Sequence, residues 1–224
     1  MTSTTLLECV ETETGTNPTR SVIWLHGLGA DGHDFHPIVP ELKLTGLPAI
    51  RFVFPHATVQ PVTINGGMAM RSWYDIKLAD LGRQEDAAGI RISQQYVENL
   101  IARENARGVA SEHIVLAGFS QGSAMTLHTG LRYPHRLAGL VALSGYLPIA
   151  ETVEAERVPA NAQTPIFMGH GKSDPVVQFP RAEASRDKLI ALGYDVEWHA
   201  YPMQHSVCAP ELDDISAFLR KVLA

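Results

Sequence analysis

The sequence G-F-S-Q-G at residues 118–122 lies between a short apolar run and a segment with helical character. The apolar run, I-V-L-A at 114–117, predicts a buried strand, and residues 123–132 predict a helix. A serine in a sharp turn between a strand and a helix needs glycine on both sides, because side chains there would collide with neighbouring strands and with the entering helix. The sequence therefore predicts such a turn, with the hydroxyl of Ser120 exposed at its tip.

A turn of this kind supplies two chemical groups. The Ser120 hydroxyl can act as a nucleophile, and the backbone N–H of Gln121, an unpaired donor at the helix start, can bind a developing oxyanion. The alternative is that the pattern arose by chance and that Ser120 only caps the helix. A hydrolase would also need an acid and a base, which follow the serine in the order Asp or Glu, then His.

The best candidate for the acid is Asp174, in a turn that follows the apolar run at residues 164–168. Loops at the carboxyl ends of parallel strands converge above the sheet, where functional groups gather. Asp187 falls inside a predicted helix and Asp195 at the start of the next strand, so both are expected to be surface charges. The alternative for Asp174 is a purely structural turn residue.

The candidate base is His205, which follows the last strand-like run, 195–201, and precedes the last predicted helix, 210–223. His199 lies inside that strand, and the other eight histidines precede Asp174, so none of them satisfies the required order. A serine hydroxyl is a weak nucleophile, so an imidazole must take its proton during attack. We expect His205 to do this while Asp174 accepts a hydrogen bond from the other ring nitrogen.

A second oxyanion donor is expected from the glycine-rich loop H-G-L-G-A-D-G at residues 26–32, directly after the apolar run 22–25. The backbone N–H of Leu28 is the predicted donor. A phosphate cradle and a metal site are the alternatives for this region. It has no P-loop Lys-Ser/Thr, and H-D-F-H at 33–36 lacks further matched ligands. We therefore predict no metal and no cofactor.

Apolar strand-like runs alternate with helical patterns along the chain, which predicts an α/β protein with a mostly parallel central sheet flanked by helices. The predicted strands are 21–25, 50–54, 114–118, 137–143, 165–168 and 196–201, and the predicted helices are 33–41, 85–107, 123–133, 181–192 and 210–223. The chain has 224 residues, of which 45% are apolar, and no repeat or linker. This predicts a single domain over residues 1–224.

Residues 55–75 read as a long loop over the site, with prolines and a Gly-Gly pair. Methionine and aromatic side chains adapt to flexible acyl chains, so the hypothesis is a substrate groove lined by Met68, Met70, Trp73 and Tyr74 together with Leu28. The alternative is that Trp73 and Tyr74 only pack the loop onto the body of the protein.

Composition limits the classes of binding partner and the cellular compartment that we expect for the protein. The formal net charge of −6 and isoelectric point near 5.9 argue against nucleic-acid binding, which requires a clustered basic face. Cys9 and Cys208 have no partner spacing typical of a metal or redox motif, so we expect reduced thiols in a cytoplasmic protein. The sequence shows neither a secretory signal nor an apolar run long enough for a transmembrane helix.

Several separate motifs resemble the acyl-protein thioesterase and bacterial carboxylesterase family, over roughly residues 20 to 222. They are H-G-L-G at 26–29, P-V-T-I-N at 61–65, S-W-Y-D at 72–75, Q-E-D at 84–86, G-F-S-Q-G at 118–122 and Y-P-M at 201–203. The resemblance implies an α/β-hydrolase fold without a large cap domain, acting on carboxylic esters or acyl thioesters of lipids, proteins or small molecules. It implies Ser120, Asp174 and His205 as the triad, and a homodimer is compatible with it.

Three residues depart from the family pattern. Gln204 stands where glycine is usual, so it would be strained if that position has a positive φ. Arg71 replaces a proline before S-W-Y-D, and Ser123 replaces a glycine after the serine turn.

Two other functional classes stay open at this point: a different serine hydrolase, such as a peptidase or a C–C bond hydrolase, and a binding protein that only retains the fold.

Overall fold

The computed structural model describes residues 6–77 and 85–224, and the Gln84 of the Q-E-D motif lies outside these ranges. The strands are β1 (Cys9–Glu13), β2 (Arg20–Leu25), β3 (Ile50–Pro55), β4 (Val59–Val62), β5 (Met68–Arg71), β6 (Ile114–Phe119), β7 (Gly139–Leu143), β8 (Ile166–Gly171) and β9 (Val196–Tyr201). The α-helices are α1 (Ala87–Ala106), α2 (Gln121–Arg132), α3 (Val153–Glu156), α4 (Phe179–Ala191) and α5 (Ala209–Leu223). Short 3-10 segments are His36–Glu41, Thr63–Asn65, Ser111–His113, Ala150–Thr152 and Pro159–Asn161.

Seven strands form the main sheet in the order β1-β3-β2-β6-β7-β8-β9. Only β1 is antiparallel to its neighbour, and all other pairs are parallel. The prediction of a mostly parallel central sheet flanked by helices is therefore confirmed. Leu25 pairs with Gly118, and Gly171 pairs with Tyr201, so the carboxyl ends of β2, β6, β8 and β9 lie along one edge. The loops that carry the candidate site residues all start at this edge.

The core has two layers, one on each face of the sheet. Along β2, Val22 and Trp24 face one layer, whereas Ile23 and Leu25 face the other, as the two-residue period of a strand requires. Every residue of β3 and of β8 is buried. Burial on both faces is typical of parallel sheets and explains why most residues of these two strands are apolar.

The structure differs from the sequence predictions mainly before residue 72. The predicted helix at 33–41 is a 3-10 segment, His36–Glu41, because Pro37 and Pro40 remove backbone donors. The antiparallel edge strand β1 was not predicted, since its alternating polar residues form a half-exposed strand. The long loop predicted at 55–75 is wrong over residues 59–71, which form an antiparallel hairpin of β4 and β5.

The hairpin has a local physical basis in its turn. Gly66 and Gly67 adopt φ values of 67° and 79°, which glycine reaches without steric cost. Pro61 is tolerated because, of the strands that the structure describes, β4 pairs with β5 alone. In the described part of the chain, no helix has both the length and the apolar character needed to cross a membrane.

Candidate active site

Ser120 occupies a strained turn between β6 and α2. Its φ of 55° and ψ of −116° lie outside the regions that L-residues usually adopt. A Cβ on Gly118 would lie 2.3 Å from the carbonyl oxygen of Gly122, and a Cβ on Gly122 would lie 2.2 Å from the carbonyl oxygen of Leu25. Both glycines are therefore required by close backbone packing, as the sequence predicted.

The side chains of Ser120, His205 and Asp174 form a continuous hydrogen-bonded series. The Oγ of Ser120 lies 3.0 Å from Nε2 of His205. The Nδ1 of His205 lies 2.7 Å from Oδ2 of Asp174. The three residues follow β6, β9 and β8, so the sheet brings together three predicted residues that are far apart in sequence.

The carboxylate of Asp174 is held by its own loop. Its side chain is fully buried, and Oδ1 accepts hydrogen bonds from the backbone N–H groups of Val176 at 2.8 Å and Val177 at 2.9 Å. Burial lowers the pKa of the neighbouring His170, whose Nε2 lies 2.8 Å from the carbonyl oxygen of Val177. A neutral His170 that donates this bond fixes the loop, which leaves Oδ2 of Asp174 directed at His205.

The predicted oxyanion donors, Leu28 and Gln121, both border the cavity that contains Ser120. Among the described residues, neither backbone N–H has a hydrogen-bond partner. The loop that carries Leu28 passes close to the serine, since a Cβ on Gly27 would lie 3.4 Å from the Cβ of Ser120. The N–H of Gly29 donates to the carbonyl oxygen of Arg71 at 2.9 Å, which connects this loop to the hairpin.

His26 fixes the start of the same loop, a role that no sequence motif indicated. Desolvation by burial lowers its pKa to about 4, so the ring is neutral near pH 7. Its Nδ1 donates to the carbonyl oxygen of Gly27 at 2.7 Å, and its Nε2 accepts from the N–H of Ala57 at 3.0 Å. The indole N–H of Trp73 donates to the carbonyl oxygen of His26 at 2.9 Å.

The side chain of Gln121 joins the serine turn to the segment after the hairpin. Its Oε1 accepts from the N–H of Trp73 at 2.8 Å, and its Nε2 donates to the carbonyl oxygen of Tyr74 at 2.7 Å. Gln121 is buried, so these bonds are shielded from water. One residue therefore presents a backbone donor beside Ser120 and positions the wall of the adjoining cavity.

A cavity of about 350 Å³ adjoins Ser120. Its lining residues are Leu28, Ile64, Asn65, Tyr74, Ile76, Ser120, Gln121, Tyr146, Val176 and Val177. The mainly apolar wall and the volume of the cavity suit a small organic group. Of the predicted groove residues, Tyr74 and Leu28 line the cavity, whereas Tyr146 comes from a distant segment that no sequence motif singled out.

The other three predicted groove residues are not among those that line this cavity. Met68 is 64% exposed on the hairpin, and the Sδ of Met70 accepts a hydrogen bond from Asn65 Nδ2 at 3.2 Å. Trp73 is only 1% exposed and packs the segment onto the body of the protein, which was the alternative considered for it. A strand alternates its side chains between two faces, and the loop prediction gave no face for these residues.

The three departures from the family pattern have simple structural settings. Gln204 has no positive φ, so the strain expected for it is absent. Arg71 donates from Nη1 to the carbonyl oxygen of Ala57 at 2.9 Å and so stabilises the base of the hairpin. Ser123 is fully buried in α2, and a Cβ on the nearby Gly145 would lie 2.3 Å from its Oγ.

In residues 6–77 and 85–224, no group of three or more metal-ligating side chains occurs.

The phospholipase/carboxylesterase family model matches residues 7–223. The chain belongs to this family. It is 43% identical over 214 residues to acyl-protein thioesterase 1 of Gibberella zeae, with 92% of this chain and 91% of the relative covered. It is 44% identical over 215 residues to acyl-protein thioesterase 1 of Neurospora crassa, with 92% and 87% covered.

Solved structures agree with this assignment of the chain to the phospholipase/carboxylesterase family. Arabidopsis thaliana SOBER1 superposes with a TM-score of 0.86 at 33% identity, covering 92% of this chain and 99% of that one. Zea mays acyl-protein thioesterase 2 superposes with a TM-score of 0.82 at 30% identity, covering 96% and 99%. The α/β-hydrolase fold is therefore confirmed, and the chain is a hydrolase of the carboxylesterase and thioesterase type.

Proposed function

We propose that this chain hydrolyses carboxylic esters and acyl thioesters through an acyl-enzyme formed on Ser120. The observation that carries the proposal is the series from Ser120 Oγ through His205 to Asp174, with separations of 3.0 and 2.7 Å. Nε2 of His205 takes the serine proton as Oγ attacks the acyl carbon. Asp174 fixes the tautomer of the ring and stabilises the imidazolium that forms.

The negative oxygen of the tetrahedral intermediate is bound by the backbone N–H groups of Leu28 and Gln121. Neither N–H donates to any residue that the structure describes, which supports this role, because each donor is then available without first breaking a bond. The imidazolium of His205 then protonates the departing alcohol or thiol. Water activated by the same ring attacks the acyl-enzyme, releases the carboxylic acid and restores Ser120.

The substrate is an ester or thioester whose acyl group occupies the cavity beside Ser120. Relatives named acyl-protein thioesterase make acylated proteins one substrate class to test, alongside acylated lipids and small esters. The family match across residues 7–223 supports one catalytic domain over residues 1–224. The cytoplasmic location and the homodimer stay predictions. The comparisons do not favour the peptidase or C–C bond hydrolase alternative.

A direct comparison of leaving groups tests this function. Esters, thioesters and amides that share one short acyl group should be assayed with the wild-type chain and with Ser120→Ala. We expect hydrolysis of the ester and thioester, little hydrolysis of the amide, and loss of all three activities in the variant. Faster hydrolysis of the amide, or ester hydrolysis that persists in Ser120→Ala, would contradict the proposal.

A further inference from the structure

Two tyrosine hydroxyls meet in the wall of the cavity beside Ser120. The hydroxyl oxygens of Tyr74 and Tyr146 are 2.7 Å apart, and both residues line the cavity. Tyr74 is 2% exposed and Tyr146 is 6% exposed, so the pair is shielded from bulk solvent. Burial raises the pKa of both hydroxyls, so both keep their protons near pH 7.

The pair is held from behind by an ion pair. The guanidinium of Arg181 lies over the ring of Tyr146, with its central carbon 3.4 Å from the ring centroid. Arg181 Nη2 donates to Oε1 of Glu85 at 2.8 Å, and Oε2 of Glu85 accepts from the backbone N–H of Ile149. These contacts fix the ring of Tyr146, and the adjacent positive charge strengthens its O–H as a donor.

Within residues 6–77 and 85–224, the two hydroxyls carry more hydrogens than they have acceptors. Two hydroxyls carry two hydrogens, and one of these is used in the bond between Tyr74 and Tyr146. Whichever residue donates in that bond, the remaining hydrogen has no acceptor among the residues that the structure describes. Once an acyl chain fills the cavity, this hydrogen depends on the chain for an acceptor; an all-methylene chain supplies none, which is costly for a buried donor.

We propose that the Tyr74–Tyr146 hydroxyl pair is a specificity element that favours acyl groups carrying an oxygen acceptor, such as an ether, keto or hydroxyl oxygen. The proposal rests on Ser120 hydrolysing acyl esters, as proposed above. The aliphatic side chains of Ile76 and Val177 contact the carbon atoms of the acyl group, and the pair supplies one directed hydrogen bond to its oxygen. An acyl group that satisfies this donor gains binding that its hydrocarbon counterpart lacks.

Matched substrates can test this preference directly. The p-nitrophenyl esters of hexanoate and octanoate are compared with the same esters in which one methylene beyond the β carbon is replaced by an ether oxygen. Each kcat/KM is divided by the rate of alkaline hydrolysis of the same ester, which removes the intrinsic reactivity. For at least one ether position we expect the corrected kcat/KM of the wild type to be about tenfold higher than for the parent ester.

Paired variants assign the preference to the hydroxyls. The double variant Tyr74→Phe/Tyr146→Phe keeps both rings and removes both hydroxyls, so the ether ester should fall to or below the level of its parent. Each single variant keeps one free donor and should retain part of the preference. Tyr194→Phe deletes the hydroxyl of a buried tyrosine that is not among the residues lining this cavity, so it should behave as the wild type.

The outcomes separate this proposal from the proposed function. Hydrolysis of every ester without any preference for an ether position would overturn the specificity element and leave the triad intact. A preference that persists in the double variant would also overturn it. Absence of hydrolysis of all esters by the wild type would instead contradict the function itself. Thermal unfolding of the double variant checks its fold, and the wild-type ratios decide the proposal even if that variant is unstable.

Discussion

The side-chain amide of Gln121 donates to the carbonyl oxygen of Tyr74 at 2.7 Å. Gln121, which directly follows Ser120, therefore positions Tyr74 in the wall of the cavity. Its backbone N–H is at the same time a proposed oxyanion donor. The position of the cavity and the position of the reacting carbonyl are therefore coupled through one side chain. Substitution of that side chain should affect substrate choice as well as stability.

Gln121→Leu keeps the shape of the side chain and leaves the buried N–H of Trp73 and the carbonyl oxygen of Tyr74 without partners. We expect the free energy of unfolding to fall by about 2–4 kcal/mol, since an unsatisfied buried group costs about 1–3 kcal/mol. The preference among acyl groups in kcat/KM should also change. Gln163→Leu, at an exposed position, is the matched control. Wild-type stability together with an unaltered acyl preference in Gln121→Leu would rule out this coupling.

Asp174→Asn keeps the size of the side chain and removes its charge. The amide no longer stabilises the imidazolium of His205 and favours the wrong tautomer, so kcat should fall by roughly 10⁴-fold. Asp187→Asn, a change at a carboxylate whose side chain is 64% exposed, should leave kcat unchanged. Steady-state kinetics on one ester measures both variants. A fall of less than tenfold in Asp174→Asn would show that this carboxylate has no part in catalysis.

The stability of the protein should decrease on acidification partly because of His26. Burial lowers its folded pKa from 6.5 to about 4, so the unfolded chain binds this proton more tightly. The stabilisation is complete above pH 6.5 and is lost as the pH falls towards 4. The shift corresponds to roughly 3 kcal/mol.

His26→Gln can retain a donor and an acceptor and cannot titrate. The free energy of unfolding of this variant, measured by urea denaturation from pH 7 to pH 4, should depend less steeply on pH than that of the wild type. Parallel pH profiles for the two proteins would contradict a buried neutral His26.

The opposite pH dependence is expected from Glu211. Its side chain is fully buried in α5, with no salt-bridge partner in the described part of the chain, and burial raises its pKa from 4.5 to about 8. The folded state therefore holds this proton more tightly than the unfolded state, and stability decreases as the pH rises from 4.5 to 8.

Glu211→Gln cannot ionise and therefore avoids the decrease in stability at high pH. The variant should be more stable than the wild type at pH 9 by up to roughly 4 kcal/mol. At pH 4 the two proteins should be nearly equal. Urea denaturation at both pH values measures the difference. Equal stability of the wild type and the variant at pH 9 would contradict a raised pKa for Glu211.

The sequence predicted the features that depend on local constraints. Glycines around Ser120 and the order of Asp174 and His205 identified side chains that the structure brings into hydrogen-bonding distance. Continuous apolar runs gave the buried strands, and β9 has the predicted bounds, Val196–Tyr201. These signals are visible in sequence because backbone crowding and burial restrict the residue types at each position.

Features that depend on long-range packing were not predictable in this way. Tyr146 meets Tyr74 across 72 positions of sequence, and no local pattern marks that contact. The direction of Met68 depends on the hairpin register, which a loop interpretation does not contain. His26 has a structural role because two distant backbone groups bind its ring. Such contacts become visible only when the sheet has brought the segments together.

Covalent labelling tests the central claim most directly. The wild-type chain, Ser120→Ala and His205→Ala are incubated with a fluorophosphonate ester, and the modified peptide is identified by mass spectrometry. We expect stoichiometric labelling of Ser120 in the wild type, none in Ser120→Ala, and labelling slowed by several orders of magnitude in His205→Ala. Labelling at a different residue, or labelling of Ser120 at an unchanged rate in His205→Ala, would contradict the account.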